Sequence, residues 1–506
     1  MHYSVLLALP LFVGTALAQT PVFPNAAPRA TPLLIAGSDV GAPSLRYWGA
    51  SATNGTSLLN FGGRSVNTNG SAGPTYYNGL DGFNPTTNTW TNLSPDGATG
   101  APSNRHRPAM AFDPTANRLV VFGGATGPAG PYLGDCFAFD LGTNAWSTIP
   151  NPTPGTTGPS ARTDSKMAFD ASTGVLVLFG GMGPGGPVAR LNDTWLLAGT
   201  TWIPMTPTTS PSARSSFAMT ARSAPYNDIV MFGGRNTNNA ISAQTWCWDG
   251  TASNWAQITP VNGTTPATWG GGTDAIYDSV RKVVTIINGN GTGIAPSTTG
   301  LGSWISEYDC VNNKWRAFGN ITGQSLPGPL IGQQNRFAIA FLNGKTYFWG
   351  GRDPSTTSTA NLAFVKEYQA NPLATAVAYG TGCAGQSGNL LTLTPDNEPW
   401  TGRTWSGTCS NLGSSSIALS VFGFASVALP LNVVAPGPGQ PGCWLLTSSD
   451  LIVVAARGAG TAAITLAVPY NVALAGQQLH TQMGELSFAP TKLWTSNGLT
   501  ITIGAL

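Results

Sequence analysis

The chain returns repeatedly to one phrase, an apolar run closed by two glycines. RLVVFGG (118–124), GVLVLFGG (174–181), DIVMFGG (228–234) and KTYFWGG (345–351) are its clearest copies. The second glycine falls at Gly63, Gly124, Gly181, Gly234 and Gly351, with Gly289 of VVTIINGNG in the gap, at intervals of 61, 57, 53, 55 and 62 residues. A unit of this length cannot bury an apolar face alone, so its copies must stack into a ring or a solenoid.

Each unit has the same grammar. A lead-in segment such as APSNRHRPAMAFD (101–113), GPSARTDSKMAFD (158–170) or SPSARSSFAMTA (210–221) is followed by a tight turn, the glycine-pair strand, a variable loop, an aromatic strand and a tryptophan strand. Asn343-Gly344 marks one of the turns, because Asn-Gly suits the positive φ that a two-residue hairpin demands. The aromatic precedes the tryptophan by seven residues in Phe83–Trp90, Phe139–Trp146, Trp248–Trp255 and Tyr308–Trp315, and Leu197–Trp202 is two shorter. Four antiparallel strands per unit make one propeller blade.

Composition points the same way. Charged residues are 9% of 506, against about 25% in an average soluble domain, while Gly (64) and Pro (39) supply turns. The net charge is +2 with no Lys/Arg cluster, which argues against nucleic-acid binding.

The sixth unit lacks a tryptophan strand after NLAFVKEYQANP (361–372), and the N-terminus has a spare one: TPLLIAGSDVGAPSLRYW (31–48) parallels TWTNLSPDGATGAPSNRH (89–106). Residues 31–36 are therefore expected to close the last blade, leaving no open edge in the ring. At these residues the chain resembles the kelch-repeat family: a glycine pair after a β-run, an aromatic, then Trp. The resemblance covers 31–372 and implies a six-bladed β-propeller.

Upstream, MHYSVLLALPLFVGTALAQT has the apolar stretch and small residues of a secretory signal cleaved near Ala18, with 19–30 as linker. From 373 to 506 the kelch punctuation stops and strand-like runs between Gly/Pro turns predict a β-sandwich. With YGTGCAGQSG, PGCWLL and TSNGLTITIG it resembles the C-terminal modules of large secreted bacterial proteins. The chain is thus read as an all-β, exported protein, periplasmic, at the cell surface or released. Six cysteines are present. Cys383 and Cys443, both in Gly-rich turns, are the expected disulfide, and Cys136, Cys247 and Cys310 read as buried fillers with Cys409 left over.

The kelch resemblance raises copper-radical oxidase chemistry, which needs an adjacent Tyr-His pair. His106 and His480, the histidines beyond the signal, follow no tyrosine, so no cofactor or metal is expected. No GxSxG, HExxH or phosphate-binding loop is present. The candidate ligand residues are a set aligned in the lead-in segments: Arg46, Arg105, Arg162, Arg214 and Arg336, with Thr268 in the fifth unit. Arginine forks of this kind recognise carboxylates; alternatively each ties blades together. Tyr47, His106 and Trp269 stand beside them. The expected function is recognition of a polysaccharide or an extracellular protein partner in the bowl. The alternatives are a lyase- or epimerase-type carbohydrate-active enzyme and a structural surface protein.

Overall fold

The computed structural model describes residues 33–35, 37–38, 40–65, 74–127, 130–261, 274–287, 305–318, 338–351, 365–368, 374–469, 471 and 474–504. The signal and linker segments, Gly289, Thr268, Trp269 and Arg336 lie outside these. Among the described residues six antiparallel sheets follow the repeat, each built from consecutive strands running outward. The second blade is typical: Ala109–Asp113, Arg118–Phe122, Cys136–Asp140 and Ala145–Ile149.

The seven-residue spacing has a simple cause. Phe83 pairs with Trp90, Phe139 with Trp146, Trp248 with Trp255 and Tyr308 with Trp315 directly across the outer two strands. Leu197 pairs with Trp202 in the same way across a shorter turn. Three of these indoles then reach the neighbouring blade, while the buried Nε1 of Trp202 has no hydrogen-bond partner: Trp146 Nε1 donates to Ser94 Oγ (2.9 Å), Trp255 to Thr194 Oγ1 (3.0 Å) and Trp315 to Thr245 Oγ1 (3.0 Å). In those three, one residue fills the wedge between blades and satisfies its own polar atom there.

The N-terminal strand joins the last blade as the sequence implies; of 31–36, residues 33–35 are described. Leu33 and Leu34 pair with Glu367 and Lys366 of the last blade, and Ile35 N–H donates to Val365 O (2.9 Å). Ser38 clasps the joint: its Oγ accepts from Val365 N–H (2.8 Å), and its carbonyl accepts from Trp90 Nε1 (2.7 Å) of the first blade.

Past the ring, five- and four-stranded antiparallel sheets face each other. Their shared core takes Leu393, Trp405, Cys409 and Ile464 from one sheet and Ala418, Phe422, Met483, Leu499 and Ile501 from the other. This is a β-sandwich. The Cys383–Cys443 disulfide is present, closing a separation of 60 residues. Trp400 and Ala374 pack on Val283 of the fifth blade, where Arg403 Nη2 donates to Arg281 O (2.6 Å) and Asp309 Oδ1 (2.9 Å).

Candidate functional site

The lead-in arginines are the most repetitive polar feature of the ring. Arg105 Nε donates to Ser103 O (2.9 Å), Nη1 to Gly123 O (3.0 Å), and both terminal nitrogens grip Asp135 (2.6 and 2.8 Å). Arg162 repeats this with Ser160, Gly180 and Asp193. Arg214 does so with Ser212, Gly233 and Gln244, an amide standing where the carboxylate was. Arg46 is looser, with Nη2 3.5 Å from Asp81 and its guanidinium 4.4 Å over the Tyr77 ring. All four are buried. Each forked side chain therefore ties lead-in, glycine strand and third strand within one blade.

Their backbone carbonyls do the joining between blades. Arg105 O accepts from Gly63 N–H (2.9 Å), Arg162 O from Gly124 N–H (2.9 Å) and Arg46 O from Gly351 N–H (3.1 Å). The glycine pair follows from this close approach. A Cβ on Gly62, Gly123, Gly180 or Gly350 would stand 2.6–2.8 Å from the next blade's arginine carbonyl oxygen, and these glycines hold positive φ as well.

Two residues beyond each arginine lies a second ring that the repeat does not advertise. Trp48, Arg107, Asp164 and Ser216 all hold φ between 55° and 63°. Bulky non-glycine residues rarely adopt that conformation, and it recurs at functional positions. They are stitched in sequence: Arg107 N–H donates to Trp48 O (2.7 Å), Asp164 N–H to Arg107 O (3.2 Å) and Ser216 N–H to Asp164 O (3.1 Å). Since the lead-ins precede the innermost strands, this inner ring surrounds the axis on the face bearing the loops after the glycine pairs. Its side chains are half-buried.

Around it gather guanidiniums from those loops. Arg107 lies 3.7 Å and Arg64 4.0 Å over Trp48, and Arg64 Nε donates to Tyr47 Oη (2.6 Å). Arg107 Nη1 meets Asp164 at 3.2 Å, while its buried Nε has no hydrogen-bond partner. Arg190 feels Arg235 and Asp164 nearby, and burial holds it below the usual arginine range. Asp164 thus stands beside Arg107 and near Arg190, whose own donors go to Ser215, Pro187, Asn236 and Asn239.

His106 stacks on Trp48 (5.2 Å, 21°) and tilts against Tyr76. Its Nε2 lies 3.0 Å from the Gly127 carbonyl, so Nε2 carries the proton and the buried Nδ1 is left unpartnered. Burial, aided by Arg107 and Arg64, lowers its pKa to about 4, so it is neutral at pH 7. Tyr47 is likewise buried, 5% exposed.

Two of the expected ligand residues, Thr268 and Arg336, and Trp269 beside them lie outside the described residues. In the four lead-ins that are described, the innermost strands begin at Ala50, Ala109, Lys166 and Ala218, four residues after Arg46, Arg105, Arg162 and Arg214.

Sequence reasoning missed Arg64 and Arg235, although FGGR (61–64) and FGGR (232–235) set them at the same place after the glycine pair. It also kept Cys247 and Cys310 apart. Both reach Arg222, with Cys247 Sγ 3.0 Å from Asp228, and both are half-buried rather than sealed fillers. Among the described residues no group of three or more His, Cys, Asp or Glu side chains is placed to hold a metal.

A family model described as the KLHDC2/KLHL20/DRC7 Kelch-repeats domain matches residues 48–284 and again 115–351. A solved chain titled "Structure of YjhT" is similar at 11% identity and a TM-score of 0.41, over 65% of this chain and 94% of that one. The two family matches overlap and together span more than half of the sequence. The chain belongs to the kelch-repeat family.

Proposed function

We propose that this is an exported recognition protein whose propeller binds a carboxylate-bearing polymer, a polyuronate above all, on the face that carries the loops. The observation behind this reading is the pair Arg64 and Arg107 over Trp48, with Asp164 bonded to Arg107, and with Arg190 and Arg235 near one another beside it. Arginine forks match carboxylates in geometry and charge, and the orphaned Nε of Arg107 is a donor awaiting an acceptor. Trp48 is covered by two guanidiniums and Tyr47 is buried. Neither presents a bare ring for stacking on a neutral sugar, which favours anionic over neutral ligands. The lead-in arginines serve the blades and act on the ligand only by holding the face in shape.

Export is supported by the N-terminal apolar segment and by the Cys383–Cys443 disulfide, a bond at home in oxidising compartments. The sandwich then holds the propeller where its ligand is found. His106 and Tyr47, the acid and base candidates of the enzyme reading, are enclosed, so that reading is not favoured.

Titration calorimetry with polygalacturonate, its methyl ester and a neutral glucan tests this. Binding is expected for the polyanion, with loss on esterification and a tenfold or greater weakening in Arg107→Ala. Equal binding to the neutral glucan, or no binding to the polyanion, overturns it.

A further inference from the structure

The innermost strands of the six blades begin at Ala50, Ala109, Lys166, Ala218, Asp274 and Ala338. Four blades place a methyl group there. The third and fifth place opposite charges, and the two meet: Lys166 Nζ donates to Asp274 Oδ1. The fourth blade lies between them in the ring, so the pair spans the axial opening. The indole, arginine and glycine contacts of the ring join neighbouring blades; this one skips a blade. Nothing in the repeat requires it, since alanine serves four blades at that position. Stability is a weak reason for it as well. The two side chains are 31% and 19% exposed, and ion pairs open to water add little to a fold. Its place is more telling. Lys166 stands two residues beyond Asp164, whose carboxylate meets Arg107, so the pair lies beneath the inner ring at the mouth of the opening.

We propose that Lys166 is a further anion-binding residue of this face, and that Asp274 occupies it as an internal stand-in for a ligand carboxylate. The proposal rests on the carboxylate-binding reading of the face and deepens it: one acid group of the ligand is gripped on the axis, in addition to those met by Arg64 and Arg107. A lysine ammonium is a compact charge with three donors on a flexible stem. It can exchange one carboxylate for another without any movement of the backbone. The exchange leaves Asp274 facing the water of the axial opening, so no unpaired charge is sealed away. Asp274 thereby sets a threshold, because a ligand must offer a carboxylate that outcompetes it.

Calorimetric titration of the full chain with polygalacturonate tests this. Lys166→Met should bind about fivefold or more weakly than wild type, the loss of one charge-assisted hydrogen bond. Asp274→Asn frees the ammonium and should bind more tightly by a similar factor. In Lys166→Met/Asp274→Asn that gain should vanish, because the group it frees is gone. Asp249→Asn makes the same charge change at the exposed far end of a third strand, on the opposite face, and should bind like wild type. All four should melt within about 3 °C of wild type. Lys166→Met binding as tightly as wild type overturns the proposal and leaves the carboxylate reading standing. So does a gain in Asp274→Asn that persists without Lys166 or is matched by Asp249→Asn. Single variants that melt far below wild type mark the pair as a strut and overturn it too. A wild type that binds no polyanion refutes the carboxylate reading, and Asp274→Asn then decides: binding gained there supports the stand-in, and none overturns it.

Discussion

The carbonyl oxygen of Arg162 accepts the N–H of Gly124 in the preceding blade at 2.9 Å. A Cβ on the adjoining Gly123 would lie 2.6 Å from that same oxygen. One atom of the lead-in segment thus explains both glycines, one as the donor that must come close and the other as the residue that must have no side chain.

Two alanine substitutions separate close approach from backbone conformation. Gly123 and Gly174 both hold positive φ, 66° and 73°, but a Cβ on Gly174 meets nothing within 4 Å. Gly174→Ala should cost about 1–2 kcal/mol, the left-handed penalty alone. Gly123→Ala should cost about 3 kcal/mol or more, because the blades must move apart as well. Urea unfolding of both variants checks the difference, and equal losses would contradict the blade-contact explanation.

Acid should weaken the ring through His106. Its folded pKa of about 4 lies below the ordinary value of 6.5. Between those two pH values the unfolded chain binds a proton that the folded chain refuses. The stability contribution is complete above pH 6.5 and falls by up to about 3 kcal/mol as pH drops to 4. Asp81 acts in the opposite sense, since burial raises its carboxyl, so the comparison must be internal. Stability profiles of wild type and His106→Gln should diverge across pH 4–6.5 and run parallel above it.

Reduction of Cys383–Cys443 should destabilise the sandwich by about 4 kcal/mol in the chain-entropy picture, given a separation of 60 residues. The remaining thiols should stay silent toward thiol reagents in the native protein. Burial pushes Cys409 up to about 12 and raises Cys136, Cys247 and Cys310 as well, so little thiolate exists at neutral pH. Calorimetry with and without reductant, beside native thiol counting, checks both.

The architecture was legible because it is written in repeats. The glycine pair, the aromatic facing its tryptophan and the missing last strand each recur or fail at fixed phase, and each marks a contact between blades. The site was less so. Trp48, Arg107, Asp164 and Ser216 share a backbone conformation and a place but no chemistry, so no residue pattern picks them out. Arg64 and Arg235 each follow a glycine pair, whereas Arg190 opens the third strand of its blade, a different repeat position. Thr268 and Arg336, the ring members expected in the fifth and sixth units, lie outside the described residues.

The central claim is a division of labour between two positions two residues apart: Arg105 holds its blade, and Arg107 is proposed to serve the ligand. Arg105→Lys and Arg107→Gly, each measured for melting temperature and for polygalacturonate affinity, test it most directly. Lysine cannot reproduce the fork on Asp135 and Gly123, so Arg105→Lys should lower the melting temperature by several degrees. Arg107→Gly removes a left-handed arginine and should melt at or near the wild-type temperature while binding at least tenfold more weakly. An Arg107→Gly protein that binds like wild type, or an Arg105→Lys protein that melts like wild type, would contradict the account.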